Sequence, residues 1–356
     1  MNENNVLMRI QGLTTNFHTY AGVVHAVDNM TLTIPKDSVV GIVGESGSGK
    51  SVTMMSVMRL IPNPPGRIEG GHVWFNGAAL GMSDQTEKDG LNKGMVDLLS
   101  LSDEAMMKVR GRHIGMIFQD PMVSLNPVLS IGLQMTESMV AHGLATNKEA
   151  WKRAVDMLAL VGIPRPEERM RDYPHQYSGG MRQRVMIAMA LSCSPDLVIA
   201  DEPTTSLDVT VQAQILELMK ELKTKLKSSI VVISHDLSIV AGMADKVVVM
   251  YAGRVLEEAD VYDLYEKPGH PYTMGLMKSV PRLDSEDRER LVPIEGSPPD
   301  LLAPPVGCKF APRCKYAMNI CREQEPPLVT IGEGHRARCF LHHPIAPAVP
   351  GFVKVQ

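Results

Sequence analysis

The sequence predicts an α/β protein with a largely parallel central sheet. Short apolar runs of strand length recur at residues 38–43, 114–118, 197–200 and 230–233. Helical spacing fills the intervals at 50–60, 126–161 and 209–226. Strands alternating with helices form parallel sheets, because a parallel return needs a crossover. After Gly253 the texture changes, and Pro268, Pro271, Pro281, Pro293, Pro298, Pro299, Pro304, Pro305 and Pro312 crowd the tail. The chain therefore divides into a domain over 1–260 and a loop-rich extension over 261–356.

The elements follow in order. Residues 6–13, 23–27 and 30–34 alternate and lean to strand. The run 38–43 ends at a Gly-rich turn, and the helix after it, from Lys50 to Leu60, is stopped by Pro62 and Pro64. Residues 72–76 read as a strand with a turn at Asn76-Gly77. Residues 78–95 are polar and Gly-punctuated, which predicts a surface insertion. The tail is too poor in apolar pattern to bury much core alone, so something must staple it.

Composition excludes several classes. Thirty-six Lys+Arg against 40 Asp+Glu give a net charge of −4, which argues against nucleic acid as the partner. Hydrophobic residues at 44% and charged residues at 21% exclude wholesale disorder. No apolar run approaches the ~20 residues of a membrane span. The segment Met1-Asn2-Glu3-Asn4-Asn5 shows no secretion signal, so an intracellular chain is expected. The 25 methionines are read as core filling.

Gly44-Glu45-Ser46-Gly47-Ser48-Gly49-Lys50-Ser51 fits G-x-x-x-x-G-K-[ST] between a strand and a helix. Glycines free backbone N–H groups to face phosphate oxygens at a helix N-terminus. Lys50 is expected on the β- and γ-phosphates and the Ser51 hydroxyl on Mg²⁺. The run 197–200 then delivers Asp201 towards Mg²⁺, and Glu202 beside it can polarise the attacking water. No guanine-reading N-K-x-D and no second motor domain is visible, which sets aside GTPases and helicases.

Tyr177-Ser178-Gly179-Gly180-Met181-Arg182-Gln183-Arg184 resembles the signature loop of the ATP-binding cassette (ABC) ATPases, with Met181 where many members have Gln. Ser178, Gly179, Gly180 and Met181 form a second phosphate reader at a helix start. In the family architecture that reader serves a nucleotide held by another chain, so a head-to-tail pair with two ATP molecules is implied. Gln119 resembles the Q-loop glutamine, which touches Mg²⁺ and the water. Ser206-Leu207-Asp208 resembles the D-loop and His235 the switch histidine. Phe17, and after it Tyr20, is expected to stack on adenine. The resemblance implies a RecA-like parallel sheet, an antiparallel β subdomain and a helical signature subdomain over about 120–190.

The resemblance runs closest to the ATPases of dipeptide, oligopeptide and nickel importers. It rests on Ile117-Phe118-Gln119-Asp120-Pro121-Met122, Ser124-Leu125-Asn126-Pro127, Tyr173-Pro174-His175-Gln176 and His270-Pro271-Tyr272-Thr273. The Ser-Gly-Gly-Met form suggests the first of two unlike ATPases. It implies a second ATPase subunit in a heterodimer, two transmembrane permease subunits and an extracytoplasmic solute-binding protein. The chain would then sit peripherally at the cytoplasmic face of the membrane. Two other classes compete: a non-transport ABC ATPase, and an iron–sulfur regulatory protein whose cassette only senses ATP. The first usually carries coiled-coil inserts or two cassettes, and intact Glu202 and His235 argue against the second.

Cys193 stands alone and reads as core, whereas Cys308, Cys314, Cys321 and Cys339 cluster in the tail. Four thiols suit Zn²⁺ or an iron–sulfur cluster, and unmetallated thiols remain open. The resemblance favours a [4Fe–4S] cluster over zinc, as a structural staple or a redox control. His335, His342 and His343 are expected in solvent.

Overall fold

The computed structural model describes residues 5–82, 86–87, 92–205, 207–279, 293–352 and 354. Among them are twelve strands: β1 Val6–Thr19, β2 Gly22–Pro35, β3 Val39–Val43, β4 Gly66–Asn76, β5 Met95–Asp97 and β6 Ile114–Ile117. The others are β7 Leu197–Asp201, β8 Ser229–Ser234, β9 Lys246–Tyr251, β10 Arg254–Asp260, β11 Val329–Gly332 and β12 His335–Ala337. The chain forms two compact units, one of Met1–Met8, Ile34–Ser38 and Trp74–Ile233, the other of Arg9–Thr33, Val39–Val73 and Ser234–Gln356.

In the first unit β6, β7 and β8 lie parallel, with Ile117 opposite Ala200 and Asp201 opposite Ile233. Every residue of β7 and β8 is buried, as their unbroken apolar runs predict. The helices Ile131–Ala141, Asn147–Leu160 and Gly179–Leu191 bury Met135, Met139, Leu158, Val185 and Ile187. The helix Val209–Leu226 has the bounds the sequence predicts, because the Asp208 carboxylate accepts from Val211 N–H and caps it. The turn expected at Asn76-Gly77 is a helix start. Asn76 Oδ1 accepts from Ala79 N–H at 3.1 Å and opens the short helix Gly77–Leu80 instead. Much of the expected insertion, residues 83–85 and 88–91, lies outside the described residues, while Leu80 and Met95 at its ends are buried.

In the second unit β3 pairs parallel with β9, and β9, β10, β12 and β11 continue antiparallel in that order. The tail thus adds two strands to a sheet begun by the cassette. β2, β1 and β4 lie side by side. The helix Lys50–Val57 ends three residues before the expected Leu60, because Arg59 takes a left-handed φ of 51°. Methionine serves as core: Met8, Met30, Met54, Met135, Met139, Met170 and Met250 are fully buried.

The tail's own apolar cluster is small, with Leu341, Ala346 and Val349 at its centre. Polar contacts supply much of the rest. The Glu257 carboxylate, fully buried, accepts from Gly269 N–H (2.6 Å), the Thr273 hydroxyl (2.5 Å) and His335 Nε2 (2.8 Å). His342 Nε2 lies 2.8 Å from the Gly269 carbonyl. His335 and His342 are therefore buried structural groups, not solvated ones, and only His343 is exposed. Burial and loss of hydration hold the His342 imidazole below the usual histidine range.

Candidate active site

The glycine loop after β3 has the geometry its pattern predicts. Gly44 and Gly49 take positive φ of 154° and 93°. A Cβ on Gly44 would meet the Met250 carbonyl at 2.1 Å, and one on Gly49 the Ala26 carbonyl at 2.3 Å. Only glycine fits at either position. Lys50 is buried, and its Nζ donates to the carbonyls of Gly44 (2.7 Å) and Glu45 (2.9 Å) and to Ser48 Oγ (3.3 Å). Ser46 and Gly47 are exposed at the crest, and Ser51 is partly buried on the helix. The lysine charge is thus held inside the loop, where anionic oxygens would meet it together with the helix N-terminus.

The same unit contains Phe17, Tyr20 and His235. Phe17 is half-buried, with its ring edge 2.9 Å from where a Cβ on Gly66 would stand. Tyr20, at the turn between β1 and β2, is fully exposed. His235 is exposed where β8 ends, and Asp236 N–H donates to Ser234 Oγ to shape the turn. Tyr272 was not singled out as a site residue by sequence, yet its hydroxyl accepts from Glu45 N–H at 2.9 Å. No signal local to the loop points to a partner 227 residues away.

The first unit holds Asp201, Glu202 and the run from Ser178 to Met181. Asp201 is buried at the end of β7. Glu202 takes a φ of 46°, an unusual backbone state for a residue with a side chain. Its amide donates to the Ile233 carbonyl at 3.0 Å, which fixes the turn. Its Oε2 accepts from Gln119 Nε2 (3.0 Å) and from the Thr205 hydroxyl (2.9 Å). Thr205 is a contact the motif reading missed. A strained backbone with a doubly held carboxylate is a pattern found at functional sites. Ser206 lies outside the described residues.

Ser178 caps the helix Gly179–Leu191, accepting from Met181 N–H at 3.3 Å, and Ser178 and Gly179 are exposed. Behind them the Tyr177 hydroxyl donates to the Arg169 carbonyl at 2.8 Å. Burial pushes the Tyr177 phenol up to about 12. Gln183 Nε2 donates to the Pro203 carbonyl at 2.6 Å, tying the signature helix to the segment that follows Glu202.

Cys308, Cys314, Cys321 and Cys339 line one small apolar cavity in the tail, walled by Phe310 and Leu341. Cys308 N–H donates to the Cys321 carbonyl at 2.8 Å. Burial pushes the Cys308 thiol up to about 11 and raises those of Cys314 and Cys339. Among the described residues no three His, Cys, Asp or Glu side chains stand together as ligands of one metal ion. The four thiols line one cavity but form no such ligand group, so the metal group expected of the four cysteines is not supported by their arrangement. Cys193, by contrast, is buried and 3.4 Å from Ser138 Oγ, as a core residue.

Comparison with known proteins agrees with this geometry. Residues 27–205 match the family of ABC transporters, and residues 256–321 match the oligopeptide/dipeptide transporter C-terminal region. The chain is 49% identical to the oligopeptide transport ATP-binding protein OppD of Bacillus subtilis, over 98% of this chain and 93% of that protein. It is 48% identical to the dipeptide transport ATP-binding protein DppD of the same organism, over 94% of each. Among solved structures, the dimeric post-hydrolysis state of the ATP-binding cassette MJ0796 with ADP and Pi superposes with a TM-score of 0.59 at 25% identity. That match covers 71% of this chain and 98% of the cassette.

Proposed function

The chain belongs to the ABC transporter family, and on that premise we propose that it is the ATP-hydrolysing subunit of a di- and oligopeptide importer. The observation that carries the hydrolytic part is the Glu202 carboxylate, held by Gln119 and Thr205 at the end of a buried strand. The substrate class follows from relatives named for oligopeptide and dipeptide transport and from the matched C-terminal region.

In this reading the loop from Gly44 to Ser51 binds the ATP phosphates. Lys50 turns its ammonium from loop carbonyls to phosphate oxygens. When bound, Mg²⁺ supplies charge neutralisation at the β- and γ-phosphates, with Ser51, Gln119 and Asp201 as the residues that would hold it. Glu202 accepts a hydrogen bond from the attacking water and orients it, and His235 holds the γ-phosphate. Phe17, which is half-buried, stacks on adenine, with the fully exposed Tyr20 second to it. Ser178, Gly179, Gly180 and Met181 reach the nucleotide of a second ATPase subunit, with Asp208 beside that junction. An unlike partner subunit, two permease subunits and a solute-binding protein complete the importer. The exposed apolar side chains Met122, Val123 and Val128, close in sequence to Gln119, support contact with a permease. Likeness to ATP-binding proteins of membrane transporters supports a peripheral position at the cytoplasmic face.

For the tail the donor set fits a [4Fe–4S] cluster better than zinc. Four thiolates on Zn²⁺, at about 2.3 Å each, stand under ~4 Å apart and would close on one point. Thiolates on the corners of a cluster stand around a void, and these four line one cavity. The extension over 261–356 is then a cluster-stapled domain on the cassette of 1–260. Anaerobically purified protein is expected to contain about four irons and four sulfides per chain, lost in C321S. Stoichiometric zinc, or no metal in a folded tail, overturns this part alone.

The hydrolytic assignment is tested with E202Q. Phosphate release is expected to fall at least about hundredfold while ATP binding is retained. Normal turnover in that variant sinks the role of Glu202.

A further inference from the structure

Glu45, the second residue of the phosphate loop, is gripped from the tail. Its Oε2 and Oε1 accept from Arg313 Nη1 (2.6 Å) and Nη2 (3.0 Å), a bidentate fork. The remaining donors of the guanidinium are also used. Nη1 donates to the Tyr251 hydroxyl (3.2 Å), Nη2 to the Ile294 carbonyl (3.0 Å) and Nε to the Glu295 carbonyl (3.0 Å). The Arg313 side chain is 5% exposed and lies over the Tyr251 ring, 5.8 Å from its centre. All five N–H groups thus have acceptors, which is the condition for burying a guanidinium without a large desolvation cost.

The grip falls where it can act on phosphate binding. The Glu45 amide donates to the Tyr272 hydroxyl, and the Glu45 carbonyl accepts from Ser48 N–H (3.2 Å) and from Lys50 Nζ. Side chain, amide and carbonyl of one loop residue are therefore fixed at once, and the carbonyl is among the groups that place the Lys50 ammonium. Tyr251 and Tyr272 are themselves packed edge-on and tilted around Phe310, a tail residue, at 5.4 and 5.3 Å. Glycines give the loop its path but also its freedom. Something outside it must select one shape.

We propose that Arg313 is a positioning residue for ATP, acting through Glu45 to preset the phosphate loop. It touches no phosphate. The inference rests on the reading of residues 44–51 as the ATP site. Arg313 immediately precedes Cys314, so the segment that lines the cysteine cavity also carries the loop's clamp.

The test uses the full chain, with ATP turnover and equilibrium binding of a fluorescent ATP analogue. R313M is expected to raise the ATP KM and the analogue Kd by about tenfold or more, with kcat within about threefold. R313K keeps charge and bulk but loses the fork, so it is expected between R313M and wild type. E45Q removes the loop side of the pair without touching the tail. Combining it with R313M should add little to R313M alone, because both remove one contact. Thermal unfolding of each variant checks the fold. A folded R313K with wild-type KM and Kd, or independent multiplying effects of E45Q and R313M, overturns the proposal. K50A separates the two layers: if it binds ATP like wild type, the loop reading itself fails. If K50A is defective and the Arg313 variants are normal, only the clamp fails.

Discussion

The phosphate loop and the tail share one compact unit but are held by contacts of opposite range. In the loop, Lys50 reaches carbonyls five and six residues back, and the Thr53 hydroxyl donates to Gly49 four residues back. The tail's His335 and Arg313 instead reach Glu257 across 78 positions and the loop's own Glu45 across 268. The loop's path follows from glycine φ angles and a helix start, which a short stretch of chain can encode, while Arg313 holds it from outside through Glu45. The tail has a small apolar cluster, and its shape is set by polar side chains that find partners from far away. Local backbone rules therefore predict the first region, and burial with pairing decides the second.

The largest effect that would sharpen this contrast is expected at Glu257. E257L leaves Gly269 N–H, the Thr273 hydroxyl and His335 without their buried acceptor, at a cost of about 3–5 kcal/mol. Urea unfolding followed by tail proteolysis measures it. A loss under ~1 kcal/mol would mean that the tail is held by packing like an ordinary core, and the comparison breaks. E257Q keeps an acceptor oxygen and should fall between the two.

A smaller effect is expected in the other unit, at the signature. Y177F removes the hydroxyl that donates to the Arg169 carbonyl, worth about 1 kcal/mol. The pH dependence gives a second handle. The Tyr177 phenol is raised from the usual 10 to about 12 by burial, so its protonated form is favoured in the folded state. Above pH 10 the unfolded chain ionises this group first, and stability is lost as pH rises from 10 towards 12. In Y177F that slope should be shallower, read from unfolding midpoints at pH 9 and pH 11. An unchanged slope would show that the buried phenol does not hold the signature turn.

How much was legible follows the same division. The run from Gly44 to Ser51, the strands around Asp201 and the helix Val209–Leu226 could be read because each is announced by its own glycine, apolar run or cap. Asn76-Gly77 misled, because the dipeptide that favours a hairpin also makes an N-cap, and only the chain after it decides. His335 and His342 read as solvated, although Phe340 and Leu341 immediately precede the second. Their burial comes from Glu257 and Gly269, far off in sequence. The four cysteines were legible as a cluster, and their shared cavity was not.

The most direct measurement is peptide uptake into vesicles reconstituted with the permease subunits and this chain, as wild type and as E202Q. ATP-dependent accumulation with wild type, and none with an E202Q that still binds ATP, is the result predicted here. Equal uptake with E202Q, or ATP hydrolysis that moves no peptide, would contradict it.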